Sequence, residues 1–184
     1  MKKSTFGFLS SDQKTDIHAV RWEPDEGEIK GILQISHGMV EYIERYEEFA
    51  EFMTRQGFLV AGNDHLGHGE SVVSQELWGY FAPKNGSDIV VEDIHKLRTM
   101  IQEEYPDLPY FILGHSMGSF LLRKYLSKYG TGLSGALILG TGTQPDSNLK
   151  LGKAVCKFLA VFQGMCDHNA VIKRQSKHDG KRGQ

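Results

Sequence analysis

The chain has 184 residues, 40% of them hydrophobic and 24% charged, with a formal net charge of −2. This length allows one domain with its own core, and the near-neutral charge gives no indication of nucleic-acid binding. The first residues lack the apolar stretch of a signal peptide, and no run approaches the roughly 18 apolar residues of a membrane span. Two cysteines, Cys156 and Cys166, make neither a disulfide framework nor a metal-ligand set. We therefore expect a cytoplasmic protein without a membrane span.

Segments typical of strands alternate with segments typical of helices along the first 140 residues. The predicted strands are 17–22, 31–38, 58–64, 110–114 and 134–140, and the predicted helices are 45–57, 87–105 and 117–130. Ser87 or Asp88 is the expected N-cap of the second helix, and Pro106 ends it. Repeated strand–helix–strand units predict an α/β fold with a doubly wound, mostly parallel sheet and helices on both faces.

The composition changes after Gly142. Residues 148–162 form an amphipathic pattern with Lys150, Lys153 and Lys157 on one side. The following tail, 167–184, is basic, polar and nearly without apolar residues, so we expect it to be disordered.

A serine stands between two glycines where a predicted strand meets a predicted helix. The stretch reads Gly114, His115, Ser116, Met117 and Gly118, which matches the pattern G-x-S-x-G. At such a junction the serine hydroxyl projects above the sheet edge, and small residues are needed two positions away on either side. The Met117 N–H, at the helix N-terminus, can stabilise an oxyanion. The alternative interpretation is an ordinary strand-to-helix turn.

Two further loops follow predicted strands and are expected near the same edge of the sheet. In the first, His37 and Gly38 form a turn that can present the Met39 N–H as a second oxyanion donor. In the second, His65 and His68 lie three residues apart, a spacing that two metal ligands could share. Glycines at 67 and 69 favour a turn over a helix face, and further ligands are lacking, so we predict no metal.

With these motifs in order, the chain resembles the monoacylglycerol lipase and lysophospholipase branch of the α/β-hydrolase superfamily, also called serine aminopeptidase-type hydrolases. The motif residues are His37, Gly38, Glu41, Arg45 and Tyr46, then Asp64, Gly67, His68, Gly69 and Ser71, then Gly114–Gly118. The resemblance implies that Ser116 is the nucleophile and that the Met39 and Met117 N–H groups form the oxyanion hole. His37, Gly38, Gly114, His115 and Gly118 then support the elbow and the loop.

The same resemblance implies that part of the fold is missing. The family places the triad acid and histidine after two later strands, whereas the recognisable pattern here stops near Phe162. We therefore expect residues 1–145 to be a partial hydrolase core without its last strands, and 146–166 to begin a helical cap. Candidates within the chain are Asp146, Asp167, His168, His178 and Asp179, but no predicted strand positions them. The preferred expectation is a truncated or frameshifted chain whose acid and base lie beyond Gln184.

Two classes of function remain open at this point. The resemblance implies a serine hydrolase of lipid esters without metal or organic cofactor, with peptide hydrolysis as a second enzymatic possibility. The other class is a non-catalytic remnant that binds ligands or partners. A sheet that stops at the 134–140 strand is expected to expose an edge and an apolar face, which favours low stability and self-association.

Overall fold

The computed structural model describes the backbone of residues 1–162 and the side chains of residues 1–158. Within these residues six strands and four α-helices follow one another, with short 3₁₀ turns at Ile43–Tyr46 and Gln75–Leu77. In chain order they are β1 (Lys2–Leu9), β2 (Asp16–Glu23), β3 (Gly31–Ser36), α1 (Glu47–Arg55), β4 (Phe58–Asn63), α2 (Gly86–Glu104), β5 (Tyr110–His115), α3 (Met117–Tyr129), β6 (Gly135–Leu139) and α4 (Asp146–Phe162).

The six strands form one sheet in the order β1-β2-β4-β3-β5-β6. The pairs from β4 through β3 and β5 to β6 are parallel, whereas β1 and β2 run antiparallel to their neighbours. Strands β3 and β4 lie at the centre, and nearly every residue in them is buried. This arrangement confirms the predicted α/β class with a mostly parallel sheet. The prediction was possible because buried parallel strands appear in the sequence as nearly continuous apolar runs.

Strand β1 was not predicted from the sequence. Its first residues are lysine, serine and threonine. All its side chains are exposed except those of Phe6 and Phe8, which are half-buried. The strand pairs with β2 over its whole length, from Lys2 opposite Glu23 to Leu9 opposite Asp16. An edge strand with one solvated face needs few apolar residues, so its composition resembles that of a loop.

Helices cover both faces of the sheet. On one face α2 and α3 pack over a core that contains Ile94, Leu97 and Leu122. On the other face α1 packs through Ala50 against a second core that contains Trp22 and other fully buried side chains. Burial of a large apolar side chain contributes about 1.5–3 kcal/mol, so the two cores fix the sheet from both sides.

The start of α2 differs from the prediction. The helix begins at Gly86, and its N-cap is Asn85, which adopts a left-handed conformation with φ 54° and makes no side-chain capping bond. The expected caps, Ser87 and Asp88, lie in the first turn. They contact the Lys124 ammonium at 2.9 and 2.8 Å. Their polar side chains therefore join α2 to α3, and sequence alone does not distinguish this use from capping.

The chain consists of two compact units, Met1–Thr141 and Gly142–Gln184. In the second unit, helix α4 confirms that the amphipathic 148–162 segment is helical. Its apolar side chains Leu149, Leu151, Val155 and Phe158 are 46–66% exposed. In the described part of the chain, we find no helix with the length and apolar character required for a transmembrane segment. The predicted disordered tail, 167–184, lies outside the described residues.

Candidate active site

Ser116 occupies a sharp turn between β5, which ends at His115, and α3, which begins at Met117. Its backbone angles are φ 50° and ψ −116°, a region that residues other than glycine rarely adopt. Such a conformation costs on the order of 1–3 kcal/mol and persists only where surrounding structure holds it. The Ser116 N–H donates to the Leu139 carbonyl at 2.9 Å, and the Ser119 hydroxyl donates to the Ser116 carbonyl at 2.6 Å. The turn is thus fixed on both sides.

The two flanking glycines stand where no side chain fits. A β-carbon on Gly118 would collide with the Ser36 carbonyl group and lie 2.6 Å from the His37 carbonyl oxygen. A β-carbon on Gly114 would lie 2.9 Å from the Leu122 β-carbon. The first turn of α3 therefore packs directly on the end of β3, which brings the serine to the carboxyl edge of the sheet.

The loop after β3 lies beside the serine. A β-carbon on Gly38 would be only 3.2 Å from the Ser116 β-carbon, so the loop backbone passes close to the hydroxyl-bearing side chain. Met39 follows directly and is 67% exposed. Val40 is 84% exposed and has φ 59°, which is unfavourable for a β-branched residue. The structure thus brings together two of the loops that the sequence predicted to meet.

One carboxylate oxygen joins this loop to the elbow. Oε1 of Glu41 accepts hydrogen bonds from the Gly38 N–H, from the Tyr46 hydroxyl at 2.9 Å and from Nδ1 of His115 at 3.1 Å. Burial pushes the pKa of the Glu41 carboxyl upward, but these hydrogen bonds outweigh it and leave that pKa below its ordinary value. Glu41 is therefore a carboxylate at neutral pH.

Three histidine rings lie buried beneath the loop. The His37 ring is 4.1 Å from that of His65 and 5.5 Å from that of His68, centroid to centroid. His37 donates from Nδ1 to the Gly38 carbonyl at 2.8 Å and accepts at Nε2 from the His65 N–H at 2.9 Å. Both of its nitrogens are thus engaged with backbone. Among the described residues, no histidine ring hydrogen-bonds to the Ser116 hydroxyl.

The buried histidines make stability depend on pH. Burial lowers the pKa of His37 from its ordinary 6.5 to about 4, and burial also lowers the pKa of His65 well below 6.5. Between pH 6.5 and 4 the unfolded chain therefore binds protons that the folded chain does not, so stability falls as the pH falls. We expect the free energy of unfolding to decrease by about 1 kcal/mol for His37 alone between pH 7.5 and 5.5.

Urea unfolding at both pH values measures this difference. His37→Gln serves as the comparison, because an amide can donate and accept without titrating. The decrease should be about 1 kcal/mol smaller in that variant. Equal pH dependence in both proteins would show that His37 is not buried in its neutral form.

His65 and His68 lie in a turn that contains Gly67 and Gly69, and not on one face of a helix. Gly67 and Gly69 have φ values of 76° and 50°, and Nε2 of His65 contacts the Ser36 hydroxyl at 3.1 Å. Within the described residues, one group has three possible ligand atoms within 4.8 Å of one another, and it lies elsewhere: His18, Glu44 and Glu70. The Lys3 ammonium contacts Glu44 at 2.8 Å and competes for that carboxylate.

An open cleft of about 330 Å³ lies next to the elbow. Its lining includes Arg45, Tyr46, Phe49, Leu113, His115 and Leu139. The cleft is mixed in character, because apolar side chains from the sheet line it together with Arg45 and the Glu41 carboxylate.

Comparison with known proteins identifies the family. Residues 27–180 match the family described as serine aminopeptidase, S33. The chain belongs to the S33 family. Rat (Rattus norvegicus) monoglyceride lipase is 32% identical over 165 residues, which cover 86% of this S33 chain and 52% of the lipase. The monoacylglycerol lipase of Mycolicibacterium smegmatis is 31% identical over 119 residues, or 65% of this chain and 40% of that enzyme.

Solved structures agree with this assignment. A thermostable carboxyl esterase from Bacillus coagulans, in complex with glycerol, aligns with a TM-score of 0.77 and 35% identity over 89% of this chain and 52% of the esterase. A soluble variant of Saccharomyces cerevisiae monoglyceride lipase aligns with a TM-score of 0.68 at 19% identity over 88% of this chain and 52% of the lipase, which supports the fold alone. The chain spans about half the length of these relatives. The predicted membership of the monoacylglycerol lipase branch of the α/β-hydrolases is confirmed.

For this S33 family member, the sequence did not predict the contacts that Leu139 and the motif residue Asp64 make at the site. The Leu139 carbonyl, at the end of β6, accepts the Ser116 N–H. The buried Asp64 carboxylate accepts the Ile43 N–H at 2.7 Å and the Glu70 N–H at 2.8 Å, which fixes the two loops that follow β3 and β4. The position of Asp64 directly after a buried strand was the available indication. The candidate triad residues Asp167, His168, His178 and Asp179 lie outside the described residues.

Proposed function

We propose that the protein is a serine hydrolase of carboxylic esters, with monoacylglycerols or lysophospholipids as substrates. The observation that carries this proposal is the strained Ser116, held at a strand–helix junction beside the Gly38 backbone. A serine with ordinary helical or extended backbone angles would not need its neighbours to hold its conformation. The glycerol-type esters are inferred from the monoglyceride lipase relatives.

The proposed reaction forms and breaks an acyl-enzyme. The Ser116 hydroxyl oxygen attacks the ester carbonyl carbon while a base takes its proton, and the carbonyl oxygen becomes an oxyanion. The Met117 and Met39 N–H groups donate to that oxyanion, which contributes several kcal/mol in such sites. Collapse of this intermediate breaks the ester C–O bond, and the base gives the serine's proton to the leaving oxygen, which departs as an alcohol. Water then attacks the acyl-enzyme by the same steps and releases the carboxylic acid.

The base and its acid partner are inferred, not located. We propose a histidine oriented by a carboxylate, supplied from outside the described residues. His37 does not suit this role, because its two ring nitrogens are engaged and burial lowers its pKa to about 4. His115 is held by Glu41 and Tyr46. Both histidines fit a role in supporting the loop and the elbow.

Helix α4 is proposed as the beginning of a cap over the acyl chain. Its exposed apolar side chains alternate with Lys150, Lys153 and Lys157, a pattern that suits a surface meeting both lipid and water. An ordinary core-covering helix is the alternative. The division into a core, a cap and a tail stays a prediction, as does the cytoplasmic location.

Hydrolysis assays test the proposed function and its two rivals. The purified chain would be given a monoacylglycerol, a lysophospholipid, the fatty amide that matches the monoacylglycerol, and an aminoacyl amide. The triad acid and histidine are expected beyond Gln184, so this chain turns over substrate only where it carries or recruits a base for Ser116. In that case fatty acid should be released from the esters and not from the amide, and Ser116→Ala should abolish the release. Preferential cleavage of aminoacyl amides would favour a peptidase. Absence of turnover with all substrates by folded protein would favour the non-catalytic remnant.

We also propose that β6 pairs with β6 of a second copy. The strand Gly135–Leu139 carries no charge, and Leu137, Ile138 and Leu139 are 38–46% exposed. The opposite edge, β1, carries two lysines, which is a common protection against edge pairing. Antiparallel pairing of two identical strands would satisfy the free backbone groups and bury this apolar patch.

A lysine on this edge should weaken the association. Sedimentation velocity over a range of concentrations would compare the wild type with Leu137→Lys, which places a charge in the proposed contact. Leu9→Lys is the matched control, since Leu9 is similarly exposed (47% against 42%) on the other edge. We expect dimer in the wild type and the control, and monomer in Leu137→Lys. A wild type that is monomeric throughout would contradict the proposal.

A further inference from the structure

Glu41 receives hydrogen bonds from three separate parts of the site. The Gly38 N–H comes from the loop after β3, and the Tyr46 hydroxyl comes from the following 3₁₀ turn. The third donor is Nδ1 of His115, the residue directly before Ser116. All three donors converge on one oxygen, Oε1. His115 lies 74 positions from Glu41 in sequence, so this oxygen is a direct polar link between the loop and the elbow.

The loop that Glu41 holds is not relaxed. Val40, the residue directly before Glu41, has φ 59°, where the branched side chain is sterically unfavourable. Val40 is 84% exposed, so packing of its side chain contributes little to holding this conformation. The hydrogen bonds to its neighbour Glu41 restrain the backbone from Gly38 to Glu41, together with the bond from His37 Nδ1 to the Gly38 carbonyl at 2.8 Å.

We propose that Glu41 is a positioning residue, whose carboxylate holds the 38–41 backbone so that the Met39 N–H faces the carbonyl oxygen of a substrate on Ser116. This inference rests on the proposed function for its chemical consequence. Glu41 itself does not touch the reacting atoms. The Glu41 carboxylate accepts the Gly38 N–H. The next N–H along the loop, that of Met39, is then the one left to donate to the substrate oxygen.

The restraint can be tested without any catalytic activity. Amide hydrogen exchange at Gly38, followed by NMR, reports directly on the bond to Glu41. We expect Glu41→Ala to accelerate this exchange more than about tenfold, the loss of one charge-assisted hydrogen bond. Glu44→Ala is the matched control, because Glu44 is the next carboxylate along the chain and contacts the surface Lys3 at 2.8 Å. It should leave Gly38 exchange unchanged.

The chemical consequence is measured by the second-order rate of fluorophosphonate labelling at Ser116. Displacement of an oxyanion donor by about 1 Å costs roughly 10²-fold, so Glu41→Ala should lower the rate by about that factor. Glu41→Gln keeps the acceptor oxygen in place and should lose less than about tenfold. This rescue by the amide separates positioning from general damage to the fold.

Each outcome bears on one of the two proposals. Gly38 exchange that is equal in the wild type and Glu41→Ala overturns the positioning role, whatever the labelling shows. Fast exchange with unchanged labelling also overturns it, because the loop then has no influence on the serine. A wild type that is not labelled contradicts the proposed function of this chain, and the exchange measurement alone then decides whether Glu41 holds the loop.

Should Glu41→Ala not fold, Tyr46→Phe removes one donor of the same set, and it should accelerate Gly38 exchange as well.

Discussion

Alanine at position 116 is expected to remove all covalent labelling of the chain by a fluorophosphonate probe. The probe reacts only with an activated serine, and Ser116 is held in strained backbone geometry beside the Gly38 backbone, in the loop that we propose supplies an oxyanion donor. Loss of a serine nucleophile typically reduces the reaction by about a millionfold, so no residual labelling should be detectable. Gel fluorescence and mass spectrometry of the modified peptide would measure the change.

The control for this experiment lies on α3, the helix that follows Ser116. Ser127 is an exposed serine in α3, and its hydroxyl donates to the Lys124 carbonyl at 2.7 Å. Ser127→Ala should be labelled like the wild type. Labelling that persists in Ser116→Ala would place the reactive serine elsewhere. Labelling of the wild type would further indicate that a base acts on Ser116, whether from the same chain or from an assembled partner.

Alanine at Gly118 is expected to destabilise the protein by about 3 kcal/mol or more. The added β-carbon would meet the Ser36 and His37 carbonyl groups, which belong to the backbone at the end of β3. That backbone cannot move freely, because Ser36 pairs with Gly114 in the ladder between β3 and β5. Chemical denaturation and the yield of soluble protein would measure the loss.

Gly152→Ala provides the contrasting substitution. Gly152 lies within α4, and nothing stands within 4 Å of the position of its absent β-carbon. Alanine there should be neutral or stabilise by up to about 1 kcal/mol, because glycine is a poor helix former. If both variants unfold at the same denaturant concentration as the wild type, α3 does not pack on β3 as closely as described.

The sequence predicted the parts of the fold whose determinants are local. Strand β2 alternates between buried and more exposed residues, and the four later strands are mainly apolar runs. The glycines around Ser116 indicate a crowded junction by their identity alone. Strand β1 escaped prediction because a solvated edge strand can be polar. The N-cap of α2, Asn85, was not predicted because it makes no side-chain capping bond, whereas the nearby Ser87 and Asp88 are residue types that commonly cap helices.

The candidate site was predictable in its members and not in its connections. Ser116 and the His37–Gly38 turn follow from motifs at strand ends. The role of Glu41 depends on contacts with His115, 74 residues away, and only the register of β3 against β5 brings those two segments together. Similarly, Leu139 contributes a backbone carbonyl, which every residue carries, so its identity contains no information about the bond.

The bond from the Ser116 N–H to the Leu139 carbonyl ties Ser116, the proposed nucleophile, to the outermost strand of the sheet. Edge strands open more readily than central ones, because fewer contacts must break. Each fraying event at the end of β6 would release one anchor of the strained turn while the buried centre of the sheet stays intact. Reactivity of the serine would then decline on heating before the cooperative melting of the core. Anything that clamps β6 would extend the temperature range in which the serine keeps its geometry.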